Sequence, residues 1–339
     1  MADVQGAKSF DFTLTNDFHN IVDQIQHVKN QRDAAVDSRP GGLKDFTLMD
    51  FNGELRADKL PPLLNSQSYY VLAYRNIFES SVLESTRMWR KKTVRCAVYL
   101  TTATLPKDET LDKLATLRSH VPRWHKEWEA SKTKETITKF LAEHGKSMRQ
   151  VHKVIGMGLG KFGSNSTEHG VEASYIHESA YFQHWTLLHI AEALGKIQGR
   201  KIDVFVQDPA YNNICKDLLN DLSTNIRVLE DPEGFLEMGS ETFLFHCHMP
   251  FDATEIALAV AGEKGLAGLM CAPIADEDHQ VKFTGAKLGS DTKPQELARL
   301  TSTRKYEWMK KCEPQRINPE HKWFGVGQSS AIYVRTQDL

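Results

Sequence analysis

From Val151 onward the chain alternates short apolar runs with longer stretches of helical periodicity, and this rhythm restricts the fold more than any other property of the sequence. The apolar runs fall at 151–157, 202–207, 225–229, 242–247 and 266–272, with helical stretches at about 174–198, 211–222 and 252–263 between them. Apolar strands separated by helices are what a parallel sheet covered on both faces requires. The reading is an α/β fold: a mostly parallel sheet flanked by helices, with a helical or irregular amino-terminal extension.

The first half is less regular. Residues 1–40 are polar and end in Arg39-Pro-Gly-Gly42, which reads as a loosely packed arm. Residues 45–51 alternate as a strand does, 66–92 have near-helical spacing with a basic end, and 94–101 form the next strand candidate. A helix over about 109–120 is followed by one bounded by Pro122 and Gly145, and a charged helix near 294–311 precedes a final strand at 330–334. The expected organisation is an arm and extension over 1–60 and a single α/β domain over 61–339, with a two-lobed body divided near residue 148 as the alternative.

Composition sets the outer limits. The chain is 40 % hydrophobic and 25 % charged, as ordinary globular proteins are, and its formal net charge of -2 excludes a uniformly basic surface but not a local basic patch. No apolar run reaches the roughly 18 residues that span a bilayer, and the first residues lack the layout of a secretory signal, so the expectation is a cytoplasmic protein. Five scattered cysteines without a Cys-x-x-Cys pair give no disulfide framework or structural zinc site.

The candidate chemistry gathers after the first apolar run. Val154-Ile-Gly-Met-Gly-Leu-Gly-Lys-Phe-Gly163 contains Gly158-x-Gly160-x-x-Gly163, a spacing that lets the backbone approach a ligand at a strand's carboxyl end. A dinucleotide fingerprint would open a helix at these glycines and place an acid about 20 residues later. Here a polar loop follows, and the next acid at a strand end is Asp208. Asp208 is suited either to accept hydrogen bonds from a bound cation or hydroxyl, or to cap the helix after Pro209. His246 and His248 fall on one side of a strand, where they suit proton transfer or orientation of neighbours; shared metal ligation lacks a third ligand at suitable spacing, and no metal or other cofactor is expected. Ser164 and Asn165 offer polar groups after the turn, as an acyl-accepting hydroxyl or simply as turn formers. Glu178, Tyr181 and Gln183 lie on the helix that follows.

The runs Val154 to Phe162, Glu178-Ser-Ala-Tyr-Phe-Gln-His184, Val206-Gln-Asp-Pro-Ala-Tyr211, Glu230-Asp-Pro-Glu-Gly-Phe235 and Thr242-Phe-Leu-Phe-His246 resemble, in this order, the sensitivity-to-red-light-reduced-like domain in its fungal form, over about residues 90–275. Some fungal proteins that look similar are arginine-containing cyclodipeptide synthases, which join two aminoacyl groups taken from charged tRNAs. That resemblance implies a Rossmann-like sheet and partners in arginyl-tRNA and a second aminoacyl-tRNA; no membrane partner is expected, since no apolar run is long enough to span one. No catalytic residue is aligned by the resemblance; from their chemistry, Ser164, Tyr181, His246 and His248 are the candidates for proton transfer or acyl acceptance. Substrate would be held by Gly158, Gly160, Phe162, Asn165, Glu178, Gln183, Asp208 and Tyr211. Bacterial cyclodipeptide synthases have a serine within a Gly-x-Ser turn; this chain has Gly160 there, so a nucleophile would be displaced to Ser164 or Ser166, or the covalent step would be absent. Arg87, Arg90, Lys91, Lys92 and Arg95 offer a basic tract for tRNA phosphates, and residues 304–311 a second. A non-catalytic regulatory or ligand-binding protein of the same family, and a methyl-donor- or nucleotide-dependent enzyme, are the competing readings.

Overall fold

A seven-stranded sheet carries the molecule, in the order β10-β11-β9-β8-β5-β6-β7. The computed structural model describes residues 21–37, 46–49, 55–58, 60, 62–63, 68–74, 98–104, 111–162, 173–247, 249, 253–274, 303–317 and 330–336. The five parallel strands are β5 (Lys153–Met157), β6 (Asp203–Gln207), β7 (Ile226–Val228), β8 (Thr242–His246) and β9 (Gly268–Cys271). Beyond β9 the sheet is extended by β11 (Ser330–Arg335), antiparallel to β9, and by β10 (Cys312–Ile317), antiparallel to β11. The α/β architecture read from the alternation of runs is therefore present, with each parallel strand within two residues of its expected bounds.

Alternation along the strands divides the interior into two cores. Val154, Val204, Val206, Phe243, Phe245, Ile332 and Val334 face one layer of helices: α2 (Leu111–Glu129), α3 (Lys132–His144), α4 (Ala173–Gln198) and α5 (Asn213–Leu222). Ile155, Met157, Phe205, Leu244, Leu269 and Tyr333 face the other side. That side is covered by α1 (Ile21–Asp37), α6 (Glu233–Leu236), α7 (Ala253–Val260), α8 (Thr303–Met309) and two antiparallel strand pairs, β1 (Thr47–Met49) with β2 (Leu55–Ala57) and β3 (Ser68–Tyr74) with β4 (Val98–Thr104).

Three expectations from the first half are corrected and a fourth is extended. The helix expected over 66–92 begins instead as β3, because Ser68-Tyr-Tyr-Val-Leu-Ala-Tyr74 is aromatic and β-branched and buries Leu72 and Tyr74 at period two; the remainder of that stretch lies outside the described residues. Pro122 does not separate two helices. It sits inside α2, whose buried stripe of Leu114, Leu117, Trp124 and Trp128 runs through it, and the break comes at Ser131, whose hydroxyl caps α3 by accepting from the Lys134 N–H at 3.1 Å. The arm expected over 1–40 contains α1, anchored by Ile21, Ile25 and Val28 at 1 % exposure or less. The strand expected at 94–101 is present over its described residues, 98–101, and continues to Thr104 in register with β3.

Candidate functional site

The order β7-β6-β5-β8-β9 reverses direction between β5 and β8, and open α/β sheets place ligands in the crevice outside the carboxyl ends of the strands at such a point. The glycine turn leaves β5 into this crevice. Gly158 and Gly160 have φ of 65° and 79°, a left-handed backbone open to glycine but strained for other residues. A Cβ on Gly158 would stand 2.4 Å from the Cys247 carbonyl oxygen and 2.6 Å from the Met249 sulfur, so the turn is pressed against the chain leaving β8. The Gly158 N–H donates to the Gln207 carbonyl at 3.1 Å and the Cys247 N–H to the Met157 carbonyl at 3.1 Å, which ties three strand ends together.

Asp208, the residue after β6, fixes the other side of the turn. One carboxylate oxygen accepts the Gly160 N–H at 2.8 Å and the other the Ala210 N–H at 2.9 Å. The cap of the following helix is a different residue, Asn212, whose side chain accepts from the Cys215 N–H at 3.1 Å. Asp208 thus shapes the turn while remaining half-buried at its edge. Tyr69 of β3 reaches the same edge, its hydroxyl donating to the Pro209 carbonyl at 3.4 Å. Burial, and then the charges of Asp231 and Asp208, raise the Tyr69 pKa, so this hydroxyl keeps its proton and serves as a donor.

A second carboxylate, which the sequence reading did not single out, lies behind the first. Asp231 accepts the Leu72 N–H at 3.0 Å and the Gln207 amide at 3.2 Å, while Gln207 accepts the Gly234 N–H at 2.7 Å. Arg32 of α1 donates to the Asp231 carbonyl at 2.5 Å and stands 3.9 Å from its carboxylate. Burial pushes the Asp231 carboxyl up to about 6, against the opposing pull of the Leu72 N–H, Arg32 and Gln207. The signal for this residue was in the sequence, an acid just beyond the β7 strand end in Glu230-Asp-Pro. Tyr69 had no comparable signal, since its segment read as helical.

The remaining sequence candidates separate by location. His246 ends β8, and its Nε2 is 2.8 Å from the Thr254 hydroxyl of α7. Glu178 is half-buried near the start of α4. Phe162 and Tyr181 are fully buried, in an aromatic stack in which Tyr181 is 4.7 Å from Trp124 and 4.6 Å from Phe162 by ring centroid. The Tyr181 hydroxyl donates to the Leu117 carbonyl at 3.4 Å, and burial raises its pKa far above the ordinary range. Gln183 is 1 % exposed; Tyr211 is buried with its hydroxyl 2.7 Å from Nε2 of His184, a residue quoted only as the end of a motif. The structure therefore brings Gly158, Gly160, Asp208 and His246 to the strand ends and places Phe162, Tyr181, Gln183 and Tyr211 within the helical layer. Ser164, Asn165, His248 and the tract Arg87, Arg90, Lys91, Lys92 and Arg95 lie outside the described residues. In the second basic stretch, Lys305 is buried and Lys310 lies 4.2 Å over the Tyr306 ring and 3.6 Å from Glu307. Among the described residues no three His, Cys, Asp or Glu side chains are grouped as a metal site would need, and no helix is long and apolar enough to cross a membrane.

Sheet order defines a Rossmann-like α/β protein, with the β5–β8 reversal as its candidate site. The family model of the SRR1 domain matches residues 130–314, and the chain belongs to the SRR1-domain family. The match takes in α3 to α8 and the whole parallel sheet, beginning later and ending later than the motifs suggested, and leaves out α1, α2, β1 to β4 and β11. No curated protein matches the chain.

Proposed function

We propose that this SRR1-domain protein is an aminoacyl-tRNA-dependent cyclodipeptide synthase that forms a cyclo-arginine-Xaa product, acting in the cytoplasm without a metal or other cofactor. The observation that supports this reading is the Asp208 carboxylate, oriented by two backbone N–H groups at the rim of the crevice and accompanied by the Tyr69 hydroxyl. A carboxylate held in one orientation suits the planar fork of a guanidinium.

The chemistry requires little beyond placement, because an aminoacyl ester is already activated. The amine of one aminoacyl group attacks the ester carbonyl of the other, a peptide bond forms, and a tRNA ribose hydroxyl leaves. The amine of the resulting dipeptidyl ester then attacks its own ester carbonyl, closing the six-membered ring and releasing the second tRNA hydroxyl. In each step the proton lost by the attacking amine is balanced by the one gained by the leaving ribose oxygen, with His246 as the proposed relay. Ser164 is the candidate acceptor for a covalent variant of the first step, Asn165 and Glu178 are proposed to contact substrate, and the basic tract from Arg87 to Arg95 is proposed to hold tRNA.

The test supplies purified protein with total charged tRNA and detects cyclic dipeptides by mass spectrometry. A cyclo-arginine product abolished by ribonuclease is expected. Asp208→Asn should lower the preference for arginyl over other aminoacyl donors by at least about ten-fold, about 1.4 kcal/mol of selectivity, with melting monitored in parallel. No product from any charged amino acid would overturn the reading. Saturable binding of a methyl donor or nucleotide would then favour the alternative suggested by one feature of the site, an acid at the end of the strand adjoining the glycine turn.

A further inference from the structure

At the opposite end of β6 from Asp208, a groove of about 650 Å³ opens between the helical layer and the start of that strand. Its apolar lining comes from Trp128 of α2, Trp185 and Leu188 of α4, Ile202 and Val204 at the start of β6, and Leu222 of α5. This volume is in the range of sites for drug-sized ligands, and five strand residues place it roughly 15 Å from the glycine turn.

The charges in the groove do not cancel. Glu129 is paired with Lys134 at 2.5 Å and Glu192 with Lys196 at 2.6 Å. Arg200 and Lys201, also in the lining, form no ion pair among the described residues, and the Arg200 Nε is buried without a hydrogen-bond partner. The positive charge of Arg200 and Lys201 is thus uncompensated by any ion pair among the described residues, and an anion in the groove would supply the missing partner. The aromatic wall is held in place at its edges: Trp128 lies edge-on to His189 at 5.9 Å and Trp185 edge-on to His125 at 5.2 Å, while the Thr138 hydroxyl is 2.8 Å from His189 Nε2. A groove lined by two indole rings and by two cations without ion pairs fits an apolar, flat ring that carries a negative group.

We infer that this groove is a second ligand site, separate from the crevice at the strand ends, and that it takes a planar aromatic anion whose acidic group is received by Arg200 with help from Lys201. The inference is independent of whether the protein acts on charged tRNA.

Calorimetric titration of the full chain with naphthalene-2-carboxylate and with its neutral analogue naphthalene-2-carboxamide tests it. One saturable site is expected, with the carboxylate bound at least about ten-fold more tightly than the amide. Arg200→Gln should bring the two within about three-fold while leaving the melting temperature unchanged. Leu188→Trp, which fills the groove, should weaken both. Equal or undetectable binding of the two probes to the unmodified chain, or a preference that survives Arg200→Gln, would overturn the proposal. Arg200→Gln keeps the test decisive if Leu188→Trp fails to fold.

Discussion

His184 is enclosed at 0 % exposure on α4, with both ring nitrogens engaged. Nδ1 faces the Ala180 carbonyl, which can only accept, so the proton resides there and Nε2 must accept from the Tyr211 hydroxyl at 2.7 Å. Burial lowers the imidazole to about 4, and the ring is neutral at physiological pH. Tyr211→Phe keeps the ring volume but removes the one donor to Nε2, leaving a buried acceptor unsatisfied. Destabilisation of about 1–3 kcal/mol is expected, read as a lower urea midpoint. The hydroxyl that a sequence reading offers to substrate therefore has a structural partner, and the tie joins α4 to the segment that leads into α5.

At the scale of elements, the glycine turn joins strand ends as much as it exposes backbone. Gly158→Ala meets two penalties, a left-handed φ and a Cβ 2.4 Å from the Cys247 carbonyl oxygen, whereas Gly199→Ala meets only the first, with φ at 66° and open space around it. Gly199→Ala should cost about 1–2 kcal/mol, and Gly158→Ala measurably more in the same denaturant titration. Equal losses would mean that the turn can move away from β8. The parallel strands were legible in the sequence because burial on both faces leaves continuous apolar runs such as Val204-Phe-Val206 and Phe243-Leu-Phe245. Strand β10 was not, since Cys312-Glu-Pro-Gln-Arg-Ile317 is an edge strand with four exposed or polar positions and no period to detect. The turn and Asp208 were legible as a locus, through glycine spacing and an acid at a strand end. The reach of Tyr69 and Asp231 into it depends on long-range packing of β3, which local periodicity does not encode.

For the whole molecule, Asp231 is the point where the amino-terminal elements lock onto the SRR1 domain: it is bound by Leu72 of β3 and approached by Arg32 of α1, both outside the family match, and by Gln207 of β6 within it. Its ionisation therefore reports on that junction. The unfolded carboxyl loses its proton near 3.8, whereas the folded one holds it to about 6. Across that interval the folded state binds the proton that the unfolded state has released, so the contribution of Asp231 to stability is full below pH 4 and is lost as pH rises to 6. Asn at this position cannot ionise. The stability of the wild-type chain relative to Asp231→Asn should therefore fall by roughly 2 kcal/mol between pH 4.5 and 7.5, measured as urea midpoints at intermediate pH values. Arg32→Gln removes the positive charge that holds the pKa down, so the decline in the Arg32→Gln background should extend to higher pH. A difference that is flat with pH would show that Asp231 titrates as an exposed carboxyl does, and that its ionisation has no part in holding α1 and β3 to the sheet.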